Sequence, residues 1–225
     1  RLTASIAHEI RNPLGAISHA GQLLAESPAI MQHDSRLVEI IEHQSQRINQ
    51  IIRTILELGQ TSEQNFENFT LYDWLVKIID DFCTENKLSS DAIQLTGNKS
   101  IRACGDAEQL QHVIVNLLSN SLRYADHGNR PFIMLNINDK SEDGMIAVTV
   151  SDNGPGISQD NHEKLFEPFF TTSSTGNGLG LYIARKICLS NHGYLDYMHN
   201  SNNRGYFRIS LAGNNTCHHQ PGKVD

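Results

Sequence analysis

The chain has 225 residues, of which 39% are hydrophobic, and carries a formal net charge of −7. This length fits one large domain, or a small helical unit plus a domain of ordinary size, and the apolar content excludes wholesale disorder. The acidic balance and the scattered basic residues argue against nucleic acid or anionic lipid as a partner. The four cysteines are widely spaced and form no CxxC pair, which favours a reducing compartment over a zinc knuckle or a disulfide framework.

The start of the chain carries no recognisable targeting segment. No apolar run approaches the roughly 20 residues that span a bilayer, and the pattern predicts no signal peptide. Because the chain begins at Arg1, without methionine and already inside a helical pattern, we expect it to be part of a longer protein.

Residues 1–60 predict two amphipathic helices joined by a turn around Pro28. In the first helix, Leu2, Ile6, Ile10, Ile17, Gly21 and Leu24 recur at spacings of mostly three and four. In the second helix, from Leu37 to Leu58, they form a heptad seam with one polar interruption at Gln44. The apolar stripe of such a hairpin has no partner of its own, so we expect a homodimer in which two hairpins form a four-helix bundle. Packing of the hairpin on its own downstream domain is the alternative.

The remaining residues predict a linker at 61–68, an α/β domain at 69–213 and a disordered polar tail at 214–225. The pattern predicts helices at 71–86, 106–124 and 179–190, with Asp106 capping the second, and strands at 93–96, 101–104, 132–138, 145–151, 194–198 and 206–211. This order indicates an α/β sandwich with helices on one face of a mixed sheet. The predicted fold class is therefore α plus α/β.

The first helix carries a histidine with unusual neighbours. His8 lies two residues beyond Ile6 of the buried stripe, about 200° around the helix, so its side chain should face outward. A solvated histidine is the ordinary explanation. However, Glu9 is adjacent, Asn12 lies one turn on, and Pro13 bends the helix at a cost of ~3 kcal/mol. A neutral imidazole is a good nucleophile when a base such as Glu9 takes its proton, and Asn12 could orient a water or a phosphoryl oxygen.

The helix predicted at 106–124 ends in the segment NLLSNSLRY. Asn116 and Asn120 are four residues apart and share one face, with Arg123 and Tyr124 on the next turn. An asparagine carbonyl is a suitable oxygen ligand for Mg²⁺. Taken by itself, the segment is better explained as an ordinary amphipathic helix with polar ends.

The segment SDNGPGI follows a predicted strand. Asp152 could accept a hydrogen bond from an exocyclic amine, and Gly154 and Gly156 would let the backbone approach a flat base. As a lone motif it could simply be a tight turn.

A glycine-rich stretch precedes the helix predicted at 179–190. Gly176, Gly178 and Gly180 would expose backbone amides at a helix N-terminus, which is an anion site suited to phosphates. It is neither a dinucleotide fingerprint nor a Walker loop, because no strand feeds it directly and no Lys-Ser/Thr follows. The small polar residues of 171–177 are typical of a mobile lid.

Together, HEIRNPL at 8–14 and the three later clusters resemble the sensor histidine kinases. Their dimerisation domain carries the phosphoacceptor histidine, and they share a GHKL-type ATP-binding domain with gyrase, heat-shock protein 90 and the mismatch-repair ATPase. The resemblance implies His8 as phosphoacceptor, Glu9 as its base and Asn12 as the residue that positions water for dephosphorylation. It implies binding of ATP and Mg²⁺, with Asn120 as the metal ligand and Asn116 and Arg123 near the phosphates. Asp152 would bind the adenine amine, and Tyr124 and Ile157 would lie along the pocket. The residues implied around the rest of the nucleotide are Gly154, Gly156, Thr172, Gly176, Gly178, Gly180 and Leu181.

The same resemblance implies an activity and partners. The family autophosphorylates its histidine from Mg-ATP, passes the phosphoryl group to an aspartate of a response regulator, and often dephosphorylates that regulator. Within the family the chain is most similar to the nitrogen-regulation and type IV pilus sensor kinases, more so to the latter. This implies a regulator that activates transcription with the alternative sigma factor (sigma-54), and a cytoplasmic portion of an inner-membrane-anchored sensor. Two positions depart from the family pattern: Arg123 stands where lysine is commoner, and Asn177 where a smaller residue is usual.

Two other function classes compete with the kinase. In hydrolysing relatives a glutamate one turn before the metal-binding asparagine activates water, and here that position is Asn116, which cannot act as a base. A gyrase-like or chaperone-like ATPase also leaves HEIRNPL unexplained. A degenerate kinase acting as a dimeric scaffold is disfavoured, because no expected catalytic position is lost.

His218 and His219 beside Cys217 could suggest a metal, but a disordered tail explains them better.

Overall fold

The structure is a computed structural model that describes residues 14, 15, 17–19, 21, 22, 24, 38–41, 45, 48, 65–89, 91–125, 131–138, 145–173, 178–200 and 204–213. The chain forms two compact units, which are described separately. One consists of Arg1–Glu63 with Thr171–Leu179, and the other of Gln64–Phe170 with Gly180–Asp225. The counts of elements below refer to the described residues.

In the first unit, the described residues of both predicted helices are helical. Their side chains fall into two layers, each repeating every seven residues. The buried layer contains Leu14, Gly21, Val38 and Ser45. The exposed layer is apolar and contains Ile17, Leu24, Ile41 and Ile48, which are between 37% and 49% exposed. A repeat of seven residues on both helices is the pattern of coiled-coil packing, and it leaves one apolar seam uncovered in the single chain.

The second unit is a seven-stranded sheet with three α-helices. The strands are β1 (Phe66–Thr70), β2 (Ile93–Gly97), β3 (Arg102–Asp106), β4 (Ile133–Asn138), β5 (Ile146–Asp152), β6 (Tyr194–His199) and β7 (Gly205–Gly213), and the helices are α1 (Leu71–Glu85), α2 (Ala107–Tyr124) and α3 (Gly180–Ser190). The strand order is β1-β3-β7-β5-β4-β2, and β6 pairs with β7. Only β2 and β4 pair in parallel, so the sheet is mixed as predicted.

The two faces of the sheet differ in polarity, because side chains alternate along each strand. One row across the sheet is apolar and buried, and consists of Ile137, Val148, Ile209 and Leu195. The next row is polar and lies on the opposite face, and consists of Thr96, Asn136, Thr149, Arg208 and Asp196. The buried residues of all three helices join the apolar rows in one core. The helices therefore cover one face of the sheet, as the sequence predicted.

Helix α2 is held firmly at its start. The Asp106 side chain caps the helix, since its Oδ1 accepts a hydrogen bond from the Gln109 N–H at 3.0 Å. Its Oδ2 accepts a second bond from the Asn65 N–H at 3.3 Å. This confirms the predicted cap and ties the beginning of α2 to the chain just before β1.

Strand β1 was not predicted from the sequence. It pairs antiparallel with β3 from Phe66↔Asp106 to Thr70↔Arg102, at one edge of the sheet. Its first residues fall in the stretch assigned to the linker at 61–68, where the polar composition hid the strand. The boundaries predicted for the domains, including the tail at 214–225, stay predictions.

The cysteines are not all reduced. Cys104 is disulfide-bonded, which the wide spacing of the cysteines did not predict. Cys83 and Cys188 are free thiols. Burial, with a smaller contribution from the charge of Asp196, raises the pKa of Cys188 to about 12, so this thiol stays protonated and unreactive at neutral pH. None of the helical segments that the structure describes has the length and apolar character needed to cross a membrane.

Asn191 ties the end of α3 to the beginning of α2. It is 0% exposed. Its Oδ1 accepts a hydrogen bond from the Asp106 N–H at 2.7 Å, and its Nδ2 donates to Gln109 Oε1 at 3.3 Å and to the Ile187 carbonyl at 3.0 Å.

We predict that Asn191→Ala lowers the free energy of unfolding by about 1–3 kcal/mol, because the Asp106 N–H is left buried without an acceptor. Urea unfolding followed by circular dichroism measures the change.

The control for this prediction is Gln111→Ala, a truncation on the exposed face of α2. It should change the free energy of unfolding by less than about 0.5 kcal/mol. An Asn191→Ala chain as stable as Gln111→Ala would contradict the structural role assigned to this side chain.

Candidate nucleotide-binding site

Two amides project from the middle of α2. Asn116 and Asn120 are half-buried and lie four residues apart, so they occupy the same face of the helix. The Asn120 Nδ2 donates a hydrogen bond to Asn116 Oδ1 at 3.4 Å. Within the described residues the Asn120 carbonyl oxygen accepts no hydrogen bond, so it is available to a cation.

The beginning of α3 lies directly against these amides. A Cβ at Gly180 would lie 2.5 Å from Asn116 Oδ1 and 2.9 Å from its Nδ2, so a larger residue would push the helix and the amide apart. Gly180 is the first residue of α3. Because the first N–H groups of a helix have no partner within the helix, a positive potential lies beside Asn116, suited to an anionic group.

The end of α2 lies against the loop that follows β5. Gly154 permits the approach, since a Cβ there would lie 2.5 Å from the Tyr124 carbonyl oxygen. Its N–H donates to Asp152 Oδ1 at 2.9 Å. Asp152 lies two residues beyond Val150 on β5 and hence on the helix-covered face of the sheet. Within the described residues its Oδ2 accepts no hydrogen bond and is available to an amine.

The loop turns back at Gly156, whose φ of 74° favours glycine. The next residue, Ile157, has both backbone groups held by side chains. Its N–H donates to the Tyr197 hydroxyl at 3.0 Å, and its carbonyl accepts from His162 Nε2 at 3.0 Å. The loop is thus fixed at both ends, by β5 on one side and by these two side chains on the other.

A polar pocket of about 430 Å³ opens beside this loop. It is lined by Asp152, Asn153, Gly154, Pro155, Gly156, Ile157, Gln159, His162, Tyr197, His199, Arg204 and Gly205. A carboxylate acceptor, glycine backbone and aromatic rings in one cavity are the groups that recognise a flat base carrying an amine.

The structure brings together most of the nucleotide residues predicted for this unit. Asn116, Asn120 and Gly180 form one cluster, and Tyr124, Asp152 and Gly154 form a second. Gly156 and Ile157 complete the loop. Leu181 packs against the core at the first turn of α3, whereas Arg123 is exposed at the last turn of α2. The positions of the two clusters follow from α2, which carries residues of both.

The remaining predicted residues are not among the described residues of the second unit. Thr172 and Gly178 belong to the segment Thr171–Leu179 of the first unit. His8, Glu9, Asn12 and Gly176 lie outside the described residues, as does Asn177.

Six residues of the pocket wall lie outside the segments that the sequence assigned to nucleotide binding: Gln159, His162, Tyr197, His199, Arg204 and Gly205. The rings of His162 and His199 lie with centroids 4.9 Å apart, and Tyr197 contacts both. The alternation along β6 places Tyr197 on the same face as buried Leu195, which is a weak local signal. The contact with the loop after β5 depends on how β6 and β7 pair, which no local pattern contains.

Comparison with known proteins identifies two family models along the chain. Residues 1–64 match the His Kinase A (phospho-acceptor) domain. Residues 105–214 match the histidine kinase-, DNA gyrase B- and HSP90-like ATPase. The second match contains α2, the Asp152 loop and α3, and therefore the whole site described above.

Similar proteins include several bacterial sensor kinases. The sensor protein kinase PilS of Pseudomonas aeruginosa is 42% identical over 214 residues, which cover 94% of this chain and 40% of that protein. Sporulation kinase D of Bacillus subtilis is 35% identical over 84% of this chain and 37% of that protein. The chain thus spans about two fifths of the length of these relatives.

Solved structures of histidine kinases also match the chain. Full-length ShkA in complex with AMPPNP matches with a TM-score of 0.66 at 17% identity, over 94% of this chain and 46% of that chain, which shows the fold alone. The nucleotide-free catalytic domain of the histidine kinase ThkA matches with a TM-score of 0.53 at 26% identity, over 66% of this chain and 96% of that chain. With a phospho-acceptor domain followed by an ATP-binding domain, the chain belongs to the sensor histidine kinases.

Proposed function

We propose that the chain transfers the γ-phosphoryl group of ATP to His8, and from there to an aspartate of a response regulator. The observation that carries the proposal is the identity of residue 116 in the site. It is an asparagine, hydrogen-bonded to Asn120 and packed against Gly180. An amide at this position can hold the nucleotide but cannot take a proton from water, so the site favours transfer over hydrolysis.

The missing base is supplied by the phospho-acceptor domain. Glu9 stands next to His8 in the sequence and can accept the proton of the imidazole ring as the reaction proceeds. A His8 ring nitrogen attacks the γ-phosphorus, the bond to the β–γ bridging oxygen breaks, and ADP leaves. Nucleophile and base thus come from one domain and the phosphate donor from the other.

The ATP-binding residues divide into three tasks. Asp152 accepts the exocyclic amine of adenine through its available Oδ2, and Gly154 and Gly156 keep the backbone close to the ring. The first N–H groups of α3 and the side chain of Arg123 face the phosphates. Thr172, Gly176, Gly178 and Leu181 complete the lid over the triphosphate.

Mg²⁺ is proposed as the accompanying metal. Asn120 fits it, because its carbonyl oxygen is not engaged and Mg²⁺ prefers oxygen ligands combined with phosphates and water. When bound, the ion offsets the negative charge that the phosphates carry during transfer.

The partners are proposed from the same resemblance. Phosphorylated His8 passes its phosphoryl group to the receiver domain of a response regulator, which docks on the exposed face around His8. Asn12 positions the water that later removes the phosphoryl group from the regulator. Similarity to PilS supports a regulator that works with sigma-54, and a kinase portion facing the cytoplasm in an inner-membrane-anchored sensor.

A homodimer through residues 1–60 is supported by the uncovered layer of the hairpin. Ile17, Leu24, Ile41 and Ile48 repeat every seven residues and are 37–49% exposed. Apolar side chains in a heptad seam are buried when two such hairpins pack as a four-helix bundle.

The first prediction of the proposed function concerns His8. Incubation of the chain with labelled ATP and Mg²⁺ should give an acid-labile, alkali-stable phosphoprotein, and His8→Gln should abolish the label. The control is His19→Gln, which removes an exposed histidine from the same helix and should leave labelling unchanged. Release of inorganic phosphate without labelling of the wild-type chain would instead support a gyrase-like or chaperone-like ATPase.

The second prediction separates the two activities of the first helix. Asn12→Ala should leave the label on His8 unchanged, because the side chain does not take part in the attack on ATP. It should slow dephosphorylation of the response regulator by about tenfold or more, because the attacking water is no longer positioned. Loss of both activities to the same extent would show that the role of Asn12 is wrong.

The third prediction concerns the dimer. Ile48→Glu places a charge in the exposed apolar seam and should weaken dimerisation by at least about tenfold, measured by sedimentation velocity over a range of concentrations. Gln22→Glu adds the same charge at an exposed polar position of the first helix and should leave the dimer unaffected. If both variants stay dimeric, or if the wild-type chain is a monomer, the hairpin does not pair as proposed.

A further inference from the structure

Tyr197 lies outside every segment that the sequence assigned to nucleotide binding, yet it holds the end of the Asp152 loop. Its hydroxyl accepts the Ile157 N–H at 3.0 Å, while His162 Nε2 donates to the Ile157 carbonyl at 3.0 Å. Residues 155–158 lie in no strand or helix. Side chains therefore satisfy the backbone groups that a sheet ladder would otherwise satisfy.

The ring of Tyr197 is fixed on several sides. Its centroid lies 5.2 Å from that of Phe207, 5.1 Å from that of His162 and 5.3 Å from that of His199. Tilted and edge-to-face contacts at these distances are favourable and restrict the ring to one orientation. The hydroxyl is thus a rigid acceptor.

Residue 205 makes room for this hydroxyl. In the pairing of β6 with β7, His199 lies opposite Gly205 and Tyr197 opposite Phe207, so Tyr197 and Gly205 are diagonal neighbours. A Cβ at position 205 would overlap the Tyr197 hydroxyl and the ring carbon that bears it. Glycine within a strand is typical of such a close approach.

The hydroxyl also keeps its proton. Burial raises the pKa of Tyr197, the hydrogen bond from Ile157 lowers it, and the nearby charge of Asp152 raises it again, with a net upward shift. A neutral phenol accepts one hydrogen bond and has one to donate. Tyr197 and Asp152 line the same pocket.

We propose that Tyr197 is a positioning residue for nucleotide binding, which acts by holding the loop from Asp152 to Ile157 in the conformation that receives the base. The inference rests on the proposed function, because the base in question is the adenine of ATP. β5 fixes the beginning of the loop and Tyr197 fixes its end. A loop already held in its bound conformation loses less entropy on binding, which is expressed in affinity and not in the rate of the chemical step.

The test is Tyr197→Phe, which keeps the ring and removes only the hydroxyl. The Kd of the full chain for AMPPNP with Mg²⁺, measured by calorimetry, should rise by about three- to tenfold, as expected for the loss of one hydrogen bond. The KM for ATP in His8 labelling should rise by the same factor. The labelling rate at saturating ATP should stay within about twofold of the wild-type rate, since no group at the reacting atoms has changed.

Two further variants serve as a control and as a second test of the Tyr197 hydroxyl. Tyr194→Phe removes a hydroxyl from the same strand at a position that is 53% exposed, and should leave Kd unchanged. Gly205→Ala places a methyl group where the Tyr197 hydroxyl lies, and should weaken binding at least as much as Tyr197→Phe. A thermal melt of each variant verifies that it is folded, and if Gly205→Ala does not fold, Tyr197→Phe alone decides.

The outcomes distinguish this inference from the proposed function. Equal affinity of Tyr197→Phe and wild type for AMPPNP would overturn the role of Tyr197, as would a lower labelling rate at saturating ATP with an unchanged Kd. A wild-type chain that binds AMPPNP but does not label His8 would remove the transfer function, while the comparison of Kd values still decides the role of Tyr197. Failure of the wild-type chain to bind AMPPNP would overturn both.

Discussion

The close approach of two glycines to α2 is the interaction on which the site depends. One stripe of α2 is buried in the core through residues such as Leu117 and Leu118. Its other face meets the loop after β5 through the Tyr124 carbonyl oxygen, and the first turn of α3 through the Asn116 side chain. Gly154 permits the first contact and Gly180 the second, since a Cβ at either position would overlap an oxygen of α2. The loop after β5 and the beginning of α3 are therefore both placed against one helix that is already fixed by the core.

Much of this arrangement could be predicted because its signals are local. The cap at Asp106, the apolar periodicity of α2 and the alternation in β4 are each set by residues close together in the sequence, and the structure confirms them. A histidine flanked by glutamate and asparagine, and glycines before a helix, are local signals too. They gained their meaning only in combination, when four clusters in one order identified the family.

The features that were missed depend on contacts between distant parts of the chain. β1 is an edge strand whose partner, β3, lies more than thirty residues further along, and its polar surroundings resemble a linker. Tyr197 contacts the Asp152 loop because β6 and β7 form a hairpin beside β5, and the pairing register is not written in either strand alone. The disulfide of Cys104 was not predicted either, because the spacing of the cysteines gave no sign of it. In each case the sequence shows the residue type, but it does not show which residue this type contacts.

Both ends of α3 are joined to α2, with a mechanical consequence. At its beginning Gly180 lies against Asn116, and just beyond its end Asn191 hydrogen-bonds Asp106 and Gln109 at the first turn of α2. A rod attached at two points to a neighbour can neither slide along it nor swing away without breaking one attachment. We therefore expect α2 and α3 to move together as one rigid body.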